Sequence, residues 1–408
     1  IILYYIILYY TIVLLGYYRY YIIGNIGTYY ITIYTYTTAL LRISEDIRTR
    51  LDDGKSCLMT LLDFSNAFGT VQFDLLIHKL RLLGFSTSAA NYMYSYLTQR
   101  QQAVVANGKT SVVLPLGSGT PQGAVLSPLI FTLFVNDMGR CLIHSSMHQY
   151  ADDSQLLIYF DSEKVDLAVE LLNKDLAAIS QYCTENGLKI NPTKTQVLLV
   201  SNKKSPPIPS VHVVVEGHPI AYSPAVKNLG MSFNSHLTWS NHATAICRKV
   251  YGALSSLRRM SVFTPENIKS QLVSSLIMPH FHYGLPIYFD NSCLRYIYNV
   301  RKRDHVSHLS ARFLGSSFRG YLHTNVACFI YKMIKLPSSV PPYLHDVIST
   351  GTSNRNLTAM IPFHRSKVMD GSLAVAGSKL WNRLPNDVRS LPTLSAFRRA
   401  CLSFFSEE

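Results

Sequence analysis

Two adjacent carboxylates, Asp152-Asp153, constrain this chain more than any other feature, because the segments on either side of them, Gln149-Tyr150 and Gln155 to Tyr159, read as β-strands. The pattern predicts a tight hairpin that carries the acids at its tip. Upstream, the apolar run Cys57 to Phe64 (CLMTLLDF) reads as a buried strand ending on a third carboxylate, Asp63. Three carboxylates thus stand where the chain changes direction and side chains can converge. An isolated aspartate at such a place is ordinarily a turn former or cap, so the weight falls on what accompanies them.

Four blocks occur in order. They are Leu62-Asp63-Phe64-Ser65-Asn66-Ala67-Phe68, then Gly119-Thr120-Pro121-Gln122-Gly123-Ala124-Val125-Leu126-Ser127-Pro128, then Tyr150-Ala151-Asp152-Asp153, then Gly187-Leu188-Lys189-Ile190-Asn191-Pro192-Thr193-Lys194-Thr195. Three carboxylates suit hard divalent cations that keep room for substrate phosphates. Two such ions about 3.5–4 Å apart can activate a hydroxyl and hold a leaving pyrophosphate for in-line displacement.

In order and spacing the blocks resemble polymerase motifs A, B, C and D of non-LTR retrotransposon reverse transcriptases, in particular the jockey-like, LINE-type group. The resemblance runs from about Thr37 to the C-terminus and includes Leu380-Trp381-Asn382-Arg383-Leu384-Pro385. It implies an α/β (α+β) polymerase palm within a right-hand architecture, followed by an α-rich basic thumb and C-terminal region. By motif position Asp63, Asp152 and Asp153 would ligate two Mg2+ ions, with Mn2+ as a substitute. Phe68 looks like the steric gate against a ribose 2′-OH, and Phe64, Gln122 and Gly123 would line the nucleotide site. Lys194 resembles the lysine that protonates pyrophosphate, and Leu229-Gly230 the primer grip. The implied partners are an RNA template, a DNA primer or target and deoxynucleoside triphosphates, and the implied location is intracellular, in cytoplasm and nucleus.

Departures from the family pattern are local. Where the family usually reads Ala-Phe-Asp-Thr-Val-Asp-His, this chain reads Ala67-Phe68-Gly69-Thr70-Val71-Gln72-Phe73. The fingers sub-domain should begin well upstream of Thr37, so the expectation is that the fingers are largely missing, that no nicking endonuclease accompanies the polymerase, and that the chain is a truncated, decaying copy. The competing reading is a catalytically inactive remnant that at most binds nucleic acid.

Residues 1–36 are of another texture, almost wholly Ile, Leu, Tyr, Thr and Gly, with one charge at Arg19, a repeated Ile-Ile-Leu-Tyr-Tyr and 12 of the 27 tyrosines. A membrane anchor is disfavoured by mid-stretch tyrosines; a β-rich domain edge fits the propensities but lacks turn residues. Low-complexity sequence that is not a native domain is the favoured reading.

At 408 residues the chain exceeds the ~250–300 at which a single core stops growing. Beyond residues 1–36, the expected divisions are a palm with a remnant of fingers over 37–204, primer-grip-like strands and thumb over 205–260, and an α-rich basic region over 261–408. Ser205-Pro206-Pro207-Ile208-Pro209 marks a linker. Helices are expected over about Leu40–Leu51, Leu75–Leu83, Ala89–Leu97, Leu126–Met138 and Val165–Glu185, and a hairpin around Asn107-Gly108. Strands are expected at Gln196–Val200, Val211–Val215 and Val226–Phe233.

Between Arg248 and Lys335 there are 13 Lys/Arg against three acids, a net +10 suited to a polyanion. Interspersed aromatics (Tyr251, Phe263, Tyr296, Tyr298, Phe313, Phe318) fit either a stacking surface or a helical core. Seven scattered cysteines without a C-x-x-C pair point to reduced thiols, and His144 and His148 lack a third ligand for a metal.

Overall fold

The structure, a computed structural model, describes residues 19–25, 28–34, 36–203, 206, 209–259, 264–282, 317–351 and 357–407, with side chains from Thr38 onward. The pentapeptide repeat, most of the linker, Cys293, Arg295, Arg301, Lys302, Arg303, Arg312, four of the aromatics singled out above (Phe263, Tyr296, Tyr298, Phe313) and the side chain of Phe318 lie outside the described residues. The chain forms two compact units, one of Ile1–Ala39 with Gly54–Leu229, the other of Leu40–Asp53 with Gly230–Glu408.

In the first unit strands β1 (Arg19–Asn25) and β2 (Thr28–Tyr34) form a hairpin. Helix α1 (Tyr36–Asp52) follows and passes into the second unit at its fifth residue, Leu40. Strand β3 (Ser56–Leu62), helices α2 (Phe73–Leu82) and α3 (Thr87–Leu97), and the short strands β4 (Gln101–Gln102), β5 (Val105–Ala106), β6 (Lys109–Thr110) and β7 (Leu114–Pro115) come next. Then come α4 (Ser127–Phe134), β8 (Ser146–Tyr150), β9 (Asp153–Phe160), α5 (Val165–Glu185), β10 (Gln196–Val200), β11 (Val213–Val215), β12 (His218–Ile220) and β13 (Ala225–Asn228).

A six-stranded antiparallel sheet in the order β10-β3-β9-β8-β1-β2 organises this unit. Strands β3 and β9 are buried on both faces; the face bearing Leu58, Leu62, Leu156, Ile158 and Phe160 packs with Leu76 and Leu80 of α2, Phe131 of α4 and Leu172 and Leu176 of α5 in one core. Residues 19–25, from the tyrosine-rich segment, pair through Tyr21 to Gly24 with β8.

Among the described residues, two-residue turns close four hairpins. Asn107-Gly108, Glu216-Gly217 and Leu229-Gly230 have both residues at positive φ, the geometry that matches the twist of flanking strands. The fourth, Ala151-Asp152, has Ala151 at φ 57°. Two expectations change: the single strand foreseen over Val226–Phe233 is broken into β13 and β14 (Met231–Asn234) by the Leu229-Gly230 turn, and α4 stops at Phe134, with a 3-10 turn over Met138–Cys141 instead of a continuous helix. Pairing across a Leu-Gly turn satisfies backbone groups that one extended strand would leave without partners.

The second unit contains α6 (Ser240–Arg259), α7 (Glu266–Leu276), α8 (Met278–His282), α9 (Phe318–Lys335), α10 (Lys367–Asp370), α11 (Ser378–Arg383), α12 (Asn386–Ser390) and α13 (Leu394–Phe404). Tyr331, Trp381 and Phe397 form its aromatic centre, with ring centroids 4.6 Å (Tyr331–Phe397) and 5.7 Å (Trp381–Phe397) apart. The Leu380-Trp381-Asn382 block is structural: Trp381 Nε1 donates to the Leu357 carbonyl at 2.7 Å, and Asn382 exchanges two 2.8 Å bonds with the backbone of Ala359.

Helix α1 is built into this unit. Arg42 donates to the Tyr343 carbonyl at 3.0 Å, Glu45 accepts from the Leu373 N–H at 2.8 Å, and Asp52 accepts from the N–H groups of Arg365 and Ser366. Its apolar stripe of Ile43, Ile47 and Leu51 is fully buried. Among the described residues no helix is long and apolar enough to cross a membrane, and the described cysteines are free thiols.

Candidate active site

Strand β3 delivers Asp63. The β3–β9 register ends with Leu62 facing Ser154, so Asp63 and Asp153, the first residue of β9, are the residues immediately beyond its last pair. The alternation of strand side chains puts Asp63, Asp153 and Gln155 on one face of the sheet. Asp152 occupies the third position of the Tyr150–Asp153 turn and is exposed, as is Asp153. Ala151 takes a left-handed φ without being glycine, a local strain of the kind that gathers at functional turns.

The three carboxylates are brought together by backbone register and not by side-chain convergence. Among the described residues no three His, Cys, Asp or Glu side chains are grouped closely enough to hold a metal ion. The donor set consists of hard oxygens, which fits a magnesium-like ion. The nearest cation to Asp63 is the ammonium of Lys194, 3.9 Å from Oδ2, with both side chains substantially exposed.

Lys194 is aimed by a compact turn. Asn191 Oδ1 accepts from the N–H and hydroxyl of Thr193, the Asn191 carbonyl accepts from the N–H groups of Lys194 and Thr195, and the Asn191 N–H donates to the Asp63 carbonyl at 2.7 Å. Ser65 N–H in turn donates to the Lys189 carbonyl. The fourth block is therefore stitched to the first by main-chain bonds on both sides of Phe64, directly after Asp63.

The first and second blocks are joined equally closely. Gly119 N–H donates to the Val71 carbonyl and Thr120 N–H to the Phe68 carbonyl, each at 2.8 Å, while Ser118 Oγ reaches the Gly69 carbonyl at 3.1 Å. Phe68 is half-buried, its ring 4.9 Å from that of Phe131. Phe64 is a core residue, 8% exposed, whose backbone bridges Ile190. Gln122 and Gly123 are exposed in the turn before α4, with Gly123 at φ 81°. Leu229 and Gly230 form the β13–β14 turn. Arginines and lysines of α6 (Arg248, Lys249, Arg258, Arg259) and Tyr251 are exposed along that helix.

Several residues that organise the site escape a reading by motif. Asp175 of α5 is 2% exposed and accepts from the N–H groups of Ile143, His144 and Ser145 and from the Ser145 hydroxyl, fixing the loop that enters β8. The guanidinium of Arg100 donates to the carbonyls of Leu97 and Gly119 and lies over the Phe73 ring. Lys79 of α2, almost fully buried, donates to the Phe134 carbonyl, Asp137 and Tyr182, and burial pulls its ammonium below the ordinary lysine range. A signal for Asp175 does exist, since it interrupts the buried stripe of Leu172, Leu176 and Ile179.

Residues 33–233 match the family model described as reverse transcriptase (RNA-dependent DNA polymerase). The chain is similar to the "Probable RNA-directed DNA polymerase from transposon BS" of Drosophila melanogaster, 28% identical over 60% of this chain and 28% of that protein. It is equally similar to the "RNA-directed DNA polymerase from mobile element jockey" of the same organism, 28% identical over 56% of this chain and 25% of that protein. The chain thus spans little more than a quarter of the curated relatives it matches. Among solved structures, apo telomerase from Candida Tropicalis aligns with 51% of this chain and 40% of its own at 12% identity and a TM-score of 0.34, a likeness too low to inform the fold.

Proposed function

From the match of residues 33–233 to the reverse transcriptase (RNA-dependent DNA polymerase) family model, we propose that this chain is the RNA-templated DNA polymerase portion of a non-LTR retrotransposon protein. The observation that carries the reading is the strand register, whose last β3–β9 pair, Leu62 with Ser154, is followed at once by Asp63 and Asp153, with Asp152 at the hairpin tip.

In this reading the six-stranded sheet with its helical layer is the palm and α6 begins the thumb. Asp63, Asp152 and Asp153 hold the divalent cations, which when bound lower the barrier to attack by the primer 3′ hydroxyl and stabilise charge on the leaving pyrophosphate. Lys194, reaching toward Asp63 from a solvent-open turn, delivers a proton to pyrophosphate. Phe68, backed by Phe131, excludes a ribose 2′-OH. Gln122 and Gly123 border the incoming nucleotide, and the Leu229-Gly230 turn supports the primer end. The partners are an RNA template, a DNA primer and deoxynucleoside triphosphates, in cytoplasm and nucleus.

Primer extension on an RNA template with Mg2+, with Asp152→Ala as control, tests the proposal. DNA synthesis above the variant's level is expected; equal levels overturn it. The exposed basic face of α6 favours a second reading, nucleic-acid binding without catalysis, for which affinity would fall steeply with salt while extension stays at the control level.

A further inference from the structure

Behind the acidic turn the sheet changes character. Gln155, two residues beyond Asp153 on the same face, is 1% exposed, and its Nε2 donates to Oδ1 of Asn228 at 2.9 Å. Asn228 is equally buried and is the last residue of β13, immediately before the Leu229-Gly230 turn. Gln155 Oε1 and Asn228 Nδ2 are buried without a hydrogen-bond partner. An amide pair of this kind is an expensive way to fill an interior, because two apolar side chains of similar shape fill it without unmet polar atoms. What it provides, and apolar contact does not, is one fixed register between the strands that carry it.

Main-chain bonds hold β13 at its other end. The segment leading into the strand is tied to β10 by the Val197–Tyr222 bridge and by the Ser223 N–H donating to the Val197 carbonyl at 2.8 Å. These bonds fix the base of the strand. Gln155 holds its tip, adjoining a turn in which Leu229 is at φ 45° and Gly230 at φ 82°.

We propose that Gln155 and Asn228 are positioning residues that set the Leu229-Gly230 turn relative to the Asp152-Asp153 hairpin, and that through this bond the chain recognises a recessed primer 3′ end. The proposal rests on the polymerase reading for the identity of that ligand.

The test uses the double variant Gln155→Met/Asn228→Leu, which removes both polar partners together and so keeps the strands packed, with both single variants beside it. Two readouts are taken on the full chain: the KM for primer and kcat in extension, and fluorescence anisotropy with an RNA–DNA duplex bearing a recessed 3′ end against the same duplex blunt-ended. The expected result is a folded double variant whose preference for the recessed end falls about tenfold, roughly the worth of one buried hydrogen bond. Primer KM should rise with little change in kcat, and the double variant should be no worse than either single one. A double variant that keeps the wild-type preference and primer KM overturns the proposal, as do single-variant effects that multiply. If the wild type does not extend primers yet prefers recessed ends and the double variant loses that preference, the polymerase reading falls and the positioning role stands. If the wild type shows neither extension nor end preference, both fall.

Discussion

A Cβ placed on Gly119 would stand 2.9 Å from the carbonyl oxygen of Gly69 and 3.0 Å from its Cα. The loop after Asp63 and the loop before α4 touch backbone to backbone at these two glycines, with Gly119 held at φ 86° and its N–H bonded to Val71. The close approach brings Phe68 and the Thr120-Pro121-Gln122 turn to the same edge of the site.

Gly119→Ala is therefore expected to destabilise the first unit by about 1–3 kcal/mol, since the new methyl meets main chain and the backbone is left-handed. Gly69→Asp, which restores the residue usual in the family, is expected to cost less than about 1 kcal/mol, because its Cβ meets only the carboxamide end of Asn66, a side chain that can rotate away. Denaturant unfolding of the two variants checks the order; equal losses would contradict it.

A second departure from the family pattern also has a physical reading. Gln72 is the N-cap of α2, extended at φ −80° and ψ 126°, and its side chain caps nothing. The aspartate usual at this position accepts from the first-turn N–H groups, so Gln72→Asp should stabilise the unit by about 0.5–1 kcal/mol. An unchanged or lower melting temperature would show that the Gln72 carboxamide packed over Gly187 contributes as much as a cap.

Elements governed by local chemistry were legible in the sequence. Asn107-Gly108 fixes its hairpin through positive φ, α5 ends two residues before Gly187 where the periodicity stops, and Asp152 occupies a turn, with Asp153 directly after it, between two strand-forming flanks. Features set by distant partners were not. Leu229 reads as a strand residue until pairing of β13 with β14 requires a turn there. Gln155 and Asn228 are 73 positions apart, and Glu45 meets Leu373 across 328; no period or spacing links such pairs. The motif positions were visible, whereas their supports, Asp175 and Arg100, act through backbone carbonyls and N–H groups that carry no residue identity.

Asp175 gives the clearest test of such a support. Its carboxylate accepts three backbone N–H groups and one hydroxyl from residues 143–145, and alanine leaves those donors without a partner at the foot of β8. Asp175→Ala should cost about 2–4 kcal/mol and lower primer extension by displacing the Asp152-Asp153 turn, while Asp175→Asn keeps part of both. Loss of stability with full extension would separate the loop from the turn.

The buried acid on α1 makes a pH prediction confined to the second unit. Burial pushes the Glu45 carboxyl above its ordinary 4.5, outweighing the opposing pull of the Leu373 N–H, the Arg48 charge, the Ala374 N–H and the Arg42 charge. The folded unit therefore keeps this proton to a higher pH than the unfolded chain does. Between 4.5 and the raised value the unfolded state has released its proton while the folded state retains it, so stability falls as pH rises through that window and levels off above it. Both tryptophans, Trp239 and Trp381, belong to this unit, so tryptophan fluorescence, excited selectively over tyrosine, follows its unfolding. Glu45→Gln retains an acceptor for the Leu373 N–H but cannot ionise. Subtracting its stability curve from that of the wild type cancels the groups that do not feel Glu45 and should leave a decline that begins near pH 4.5, on the order of 1 kcal/mol per unit of raised pKa. Asp46, pushed up to about 6 by burial and in small part by the Glu45 charge, adds to that decline and is removed from it by making the comparison in an Asp46→Asn background. A flat difference, or one that rises with pH, would mean that the N–H groups and arginines around Glu45 already offset the cost of burying its charge.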